Sequence, residues 1–235
     1  TSTSANTTAG FSINTYVGNA TSNQTIGHGL GAVPHMIISK NRDNTSTHYN
    51  DWMIYHHSNA TANDKKLKLN TTDAVSSTNE WGDTDPTSTV YSVHTSGDGA
   101  TNDGTDKIVS YVWTGIQGYS KFGSYVGNGN ANSTFVYLGF RPAWVMIKRT
   151  TGSTYNWMIF DNKRNTFNVI DDRLRANTND AEQTGSSTHI LDFVSNGFKI
   201  RSSNSAIGGG DDPYIYMAFA EAPFVNSNGV PANAR

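Results

Sequence analysis

The 235-residue chain has no cysteine, so neither a disulfide staple nor thiol chemistry is open to it, and its core must hold by packing alone. Charge is sparse. Asp, Glu, Lys and Arg make up 15% of the residues, the formal net charge is −2, and no basic cluster stands anywhere. Nucleic acid, which needs a concentrated positive surface, is therefore not an expected partner. No apolar run approaches the ~18 residues a membrane-crossing helix needs, so no membrane insertion is expected. Glutamate occurs only at Glu80, Glu182 and Glu221, and long Leu- or Lys-rich stretches are missing. That is poor material for helices. Asn, Ser and Thr fill roughly a third of the chain instead, which suits strands joined by turns.

What the chain does have, it has twice. Gly10-Phe11-Ser12 returns as Gly118-Tyr119-Ser120, and Tyr16-Val17-Gly18-Asn19 as Tyr125-Val126-Gly127-Asn128. Pro34 with Met36-Ile37-Ile38 and Lys40 returns as Pro142 with Trp144-Val145-Met146 and Lys148. Trp52 to Tyr55 returns as Trp157 to Phe160, and Leu67 to Asn70 as Leu174 to Asn177. Each block lies about 105 to 109 residues after its partner and the order never changes, which points to duplication. The expected fold is all-β: two tandem homologous β-sandwich repeats packed together, with little helix. The expected division is a polar N-terminal arm over 1–9, repeat 1 over 10–116, repeat 2 over 117–224 and a tail over 225–235. The arm has nothing to bury and reads as disordered or as a linker from something upstream, to be ordered by contact with a neighbouring subunit. Because the chain begins at Thr1, it reads as a processed product or the last segment of a longer polypeptide.

Strands are expected near Phe11–Val17, His35–Lys40, Asp51–His56, Lys66–Leu69, Val90–His94 and Ile108–Thr114 in the first copy. In the second they are Tyr119–Val126, Phe135–Leu138, Ala143–Arg149, Asn156–Asp161, Leu174–Ala176, Gly197–Arg201 and Tyr214–Ala220. The run Tyr214-Ile215-Tyr216-Met217-Ala218-Phe219 is apolar throughout, so both its faces should be covered. With its counterpart Ile108 to Trp113, it should lie centrally in its sheet.

Candidates for chemistry are few. Of seven histidines, His56 and His57 are adjacent and on a strand would leave by opposite faces, so they would not share an ion. His28, His35, His48, His94 and His189 have no ligand spacing, and no metal or other cofactor is expected. The loop before Lys107 sets Asp98, Asn102, Asp103 and Asp106 near calcium-loop spacing, but lacks the Glu that closes an EF-hand loop. A tight Asx- and Gly-rich turn accounts for it equally. No paired carboxylates and no Gly-x-Ser-x-Gly elbow are present, and the chain is not expected to be an enzyme. Trp52 and Trp157 recur in both copies and read as core. Trp81, among polar neighbours, is the aromatic most suited to a ligand, and a buried loop anchor accounts for it at least equally. Sequons stand at Asn6, Asn19, Asn23, Asn44, Asn59, Asn70 and Asn132.

The repeated strings carry a resemblance. Gly118 to Gly129, Gly139-Phe140-Arg141-Pro142-Ala143-Trp144 to Arg149, Ser195 to Ser202 and the ending Pro231 to Arg235 resemble a family of uncharacterised bacteriophage structural proteins, common in aquatic phages and encoded among tail and fibre genes. The resemblance implies a virion or extracellular location and no catalytic residues. Copy one departs where Thr114-Gly115 stands in place of the family's Ala-Glu, present here as Ala220-Glu221. The expected function is a non-enzymatic virion component, a tail fibre or surface protein serving host attachment. Its partners would be further copies of the chain, as a homo-oligomer or filament, and a host-surface glycan or protein facing the loops. A self-assembling extracellular filament and a lectin-like carbohydrate module are the alternatives.

Overall fold

The computed structural model describes residues 1–43, 51–95, 101–152 and 154–222, and these are all-β apart from a single 3-10 turn at Ala62–Asp64. The alternating runs form strands whose ends differ from expectation by one or two residues. Two units result: Thr1–Asn70 with Val75–Gly115, and Thr71–Ala74 with the chain from Ile116 onward.

In unit 1 the large sheet runs in the order β1 (Ser2–Asn6), β2 (Phe11–Val17), β9 (Lys107–Trp113), β4 (Met36–Asn41), β5 (Trp52–His56), β6 (Lys65–Lys68) and β7 (Ser76–Ser77). A two-stranded sheet joins β3 (Gln24–Gly27) to β8 (Val90–Val93). In unit 2 the large sheet runs β10 (Ser120–Val126), β17 (Pro213–Ala220), β12 (Pro142–Arg149), β13 (Met158–Asp161) and β14 (Leu174–Arg175). Its smaller sheet is β11 (Phe135–Tyr137), β16 (Gly197–Ile200) and β15 (Leu191–Val194).

The pairings correspond residue by residue. Tyr16 faces Ile108 as Tyr125 faces Tyr214. Met36 faces Trp113 and His56, as Trp144 faces Phe219 and Asp161. Ile54 faces Leu67 as Ile159 faces Leu174, and Ile26 faces Tyr91 as Val136 faces Phe198. A one-residue slip would turn every one of these side chains to the other face, so shared register means shared inward and outward patterns.

In each unit alternate side chains of the two sheets meet in a sandwich-like core. Unit 1 sets Tyr16, Ile37, Met53 and Val112 against Ile26, Tyr91 and Val93. Unit 2 sets Tyr125, Val145, Phe160 and Tyr216 against Val136, Phe193 and Phe198. The Phe198 ring stands edge-on to Tyr125 at 6.1 Å and to Tyr216 at 5.5 Å, contacts worth about 1 kcal/mol each beyond area burial. Both β9 and β17 are central strands. Along β17 consecutive residues Tyr214 to Ala218 are buried on both faces, whereas β9 alternates between buried and half-buried.

Three expectations are corrected. Residues 1–9 are not a loose arm: Ser2–Asn6 pair with β2 over five rungs, Ser2 facing Thr15 and Asn6 facing Phe11. All five side chains are exposed, so the strand is held by its backbone hydrogen bonds and by Thr3 Oγ1 donating to the Gly27 carbonyl at 2.9 Å. Trp52 is only half-buried, beneath Lys40 at 5.9 Å, whereas Trp157 is wholly buried. Strands β1, β3, β7 and β15 were not expected; of these, β15 shows the clear alternation Leu191-Asp192-Phe193 before the Ser195-Asn196-Gly197 turn.

Candidate functional site

The repeated Tyr-Val-Gly-Asn block builds the same joint in both units. Tyr16 Oη donates to the Thr101 carbonyl at 2.8 Å, and Tyr125 Oη to the Ile207 carbonyl at 2.7 Å. Each hydroxyl ties β2 or β10 to the loop that precedes the closing strand. Burial pushes both phenol pKa values well above the ordinary range. The glycine one residue past the strand makes the joint possible. A Cβ on Gly18 would sit 2.4 Å from the Asp103 carbonyl oxygen, and one on Gly127 2.2 Å from that of Gly209. The last member of the joint differs. Asn41 Nδ2 donates to Asp106 at 2.8 Å in unit 1, while Arg149 pairs with Asp212 at 2.5 Å in unit 2.

The sequence-predicted calcium residues are thereby spent on the frame. Asn102 is buried, donating from Nδ2 to Asn19 Oδ1 and the Thr21 carbonyl and accepting from the Asn19 N–H. Asp106 holds Asn41, and the Asp103 carbonyl accepts the Asp106 N–H. Asp98 lies outside the described residues. Among the described residues no group of three His, Asp or Glu side chains is placed to hold a metal ion. Trp81 takes the buried-anchor alternative: it is 1% exposed, in the core, edge-on to Tyr55 at 5.9 Å. Its polar neighbours signalled a surface, but Glu80 turns inward and accepts from Thr101 at 3.0 Å.

The units diverge at the far end of the β4–β5 and β12–β13 hairpins. In unit 2 the Glu221 carboxylate lies 2.8 Å from Arg141 and accepts from Asn162 Nδ2 at 2.9 Å. Asp161 Oδ1 accepts the N–H groups of Lys163 and Arg164, both at 2.9 Å, and Arg164 reaches on to Glu182 at 2.8 Å. Ala143, Trp144 and residues Asp161 to Arg164 line a cavity of about 450 Å³ there. The family-like Ala220-Glu221 thus clasps the closing strand to this hairpin. Where unit 1 has Gly115 instead, its N–H donates to His35 Nδ1 at 2.7 Å, and the His57 ring lies 4.4 Å from His35. Strand β5 ends at His56, so alternation does not govern His57, and the two adjacent rings sit 5.4 Å apart rather than on opposite faces.

A second divergence lies on the outer face of β11–β16–β15. Phe135 and Tyr137 point outward there, 44% and 60% exposed. Their register partners are Lys199 and Gly197, and Lys199 faces Asp192 in turn. Lys121 donates to the Tyr137 carbonyl at 2.7 Å with its ammonium 5.3 Å from the ring centre. Unit 1 carries Thr25 and Gly27 in the matching positions of β3, beside the β1 arm. A family model described as a domain of unknown function, DUF7483, matches residues 1–223. The chain belongs to this DUF7483 family. No curated protein and no solved structure matches it.

The DUF7483 chain also holds two histidines neutral. Burial and the neighbouring His57 lower His35 to about 4; burial and the cations Arg173 and Arg175 do the same to His189, also to about 4. Burial likewise lowers His28, whose Nδ1 accepts the Leu30 N–H at 3.2 Å. Between pH 4 and the ordinary value of 6.5, the unfolded chain binds protons that the folded chain refuses. Stability is therefore complete above pH 6.5 and falls as pH drops toward 4. Allowing for the part-exposed rings, each contributes about 1–2 kcal/mol. Urea midpoints measured from pH 7.5 to 4 should show this fall, with a smaller slope between pH 5 and 6.5 in a His35→Gln, His189→Gln variant. An unchanged slope would mean that neither ring is held neutral by the fold.

Proposed function

We propose that this DUF7483 chain is a non-enzymatic structural component of a phage virion, a tail-fibre or surface protein made from two copies of one sandwich and serving host attachment. The observation that carries the reading is the shared register of the two units set against their unshared exposed chemistry. The joints at Tyr16 and Tyr125, at Asp106 and Asp212, and at Asn70 and Asn177 recur as frame. The exposed rings Phe135 and Tyr137 occur in unit 2 alone. A duplicated scaffold lets one copy keep the frame while the other varies its surface. The resemblance of the repeated strings to phage tail and fibre proteins supplies the setting, a virion or extracellular one. Immunoblotting of purified particles against their lysate tests it: the chain should co-sediment with particles, and its absence from them would overturn the reading.

A filament reading is favoured by one observation. Strand β2 has β1 on its free side, whereas its counterpart β10 ends its sheet with β17 as its strand neighbour. A polar strand from a second copy could extend β10 as β1 extends β2. If that strand is a swapped β1, leaving its own β2 for a neighbour's β10, removing residues 1–9 should leave both sandwiches folded by circular dichroism yet shorten or abolish assemblies seen by negative stain. Unchanged assembly would assign the contacts to other surfaces.

A further inference from the structure

We propose that the outer face of β11–β16–β15 is a binding surface for a short acidic oligosaccharide, an inference that rests on the attachment reading and gives that attachment its ligand class. Two aromatic residues two positions apart on one strand leave by the same face, with their Cα atoms about 7 Å apart along the sheet. Exposed to 44% and 60%, they present ring faces on which sugar C–H groups stack. Gly197 lies across from Tyr137, so no side chain flanks that ring from β16. Any other residue is shut out there, because a Cβ would fall 2.0 Å from the Val136 carbonyl oxygen. Lys121 braces the ring from one side, bonded to the Tyr137 carbonyl.

Beyond the rings the same face turns polar. Lys199 and Asp192 share the rung of Phe135, and Arg201 follows, 3.5 Å from Asp192. Arg201 then borders a cavity of about 190 Å³ lined with the hydroxyl and amide side chains of Thr188, Ser203 and Asn204. Tyr137 and Arg201 are separated by four residues of strand, roughly 13 Å, which spans roughly three sugar rings. Three cations stand against the one carboxylate of Asp192: Lys121, bonded to the Tyr137 carbonyl, Lys199, bonded to the Ser133 carbonyl, and Arg201 beside Asp192 itself. The hydrogen bonds to carbonyls leave the lysine charges in place, so the face complements a carboxylated sugar rather than a neutral one. An apolar protein partner would meet charges where it needs a desolvated centre.

The test uses the full chain on an array of acidic and neutral oligosaccharides, followed by calorimetry with tri-galacturonate, sialyllactose and a neutral trisaccharide. Acidic glycans should bind and the neutral trisaccharide should bind at least ten-fold more weakly. The substitutions Phe135→Thr and Tyr137→Ser should lower affinity at least ten-fold with the melting temperature nearly unchanged, Tyr137→Trp should retain binding, and Lys199→Met should erase the preference for acidic over neutral glycans. If no acidic glycan binds, or if Phe135→Thr and Tyr137→Ser bind as the natural chain does, the inference fails. Its failure is separable from that of the attachment reading. An antibody to the chain that blocks particle adsorption, with no glycan bound, overturns the ligand class alone. Glycan binding by a chain absent from particles overturns the virion role alone.

Discussion

Replacing Trp157 with alanine should lower stability by about 3–5 kcal/mol, whereas the same change at Trp52 should cost only about 1–2 kcal/mol. The backbone of each tryptophan is latched identically. The Trp52 N–H donates to Asn70 Oδ1 at 2.9 Å and the Trp157 N–H to Asn177 Oδ1 at 3.0 Å. Each asparagine then donates onward at 2.7 Å, to Asp51 in one unit and Asn156 in the other. The latch survives truncation, so the difference isolates the side chains. Trp157 is 2% exposed and its loss leaves a cavity the rigid frame cannot close. Trp52 loses mainly a stacked contact with Tyr111, at 6.4 Å, and the Lys40 ammonium over its ring. Thermal melts should separate the variants by on the order of 10 °C. Equal losses would mean the two positions are energetically alike despite their different exposure.

The second large effect is expected at the joint that closes unit 2. Arg149 reaches Asp212 at 2.5 Å with both side chains mostly buried, lies 4.2 Å from the Tyr155 ring centre, and donates to Thr151 at 3.2 Å. Arg149→Ala strands a buried carboxylate and removes the packed guanidinium, for a cost of about 3 kcal/mol. The matching Asn41→Ala in unit 1 breaks the neutral-to-charged hydrogen bond to Asp106 and the one its Oδ1 accepts from the Asp43 N–H at 3.1 Å, together worth about 1–2 kcal/mol. Denaturant titrations of the two single variants measure the comparison. An Arg149→Ala loss no larger than that of Asn41→Ala would show that the ion pair adds nothing over the amide.

Much of the frame was legible because it is written in side-chain periodicity. Phe198-Lys199-Ile200 alternates, and Phe198 and Ile200 are buried in unit 2. The unbroken apolar run of β17 read as a central strand and is one. Strand β1 was illegible for the opposite reason: Ser-Thr-Ser-Ala-Asn buries nothing, and backbone pairing leaves no mark on the choice of side chains. The sequence left Trp81 open between anchor and platform because burial of a loop residue depends on which way its neighbours turn, and Glu80 turns inward with it. Phe135 and Tyr137 were read correctly as strand. Their exposure was not legible, since it depends on what lies over that face rather than on the run itself. His57 escaped the alternation rule by lying one residue beyond the end of β5.

The most direct measurement is gold-labelled antibody microscopy of native particles, paired with adsorption assays using Fab fragments raised against the β11–β16–β15 face. The account predicts label on the tail fibres or particle surface, and adsorption that falls at least ten-fold with this Fab but not with one against unit 1. Intact, infectious particles that carry no label, or adsorption untouched by the Fab on labelled particles, would contradict it.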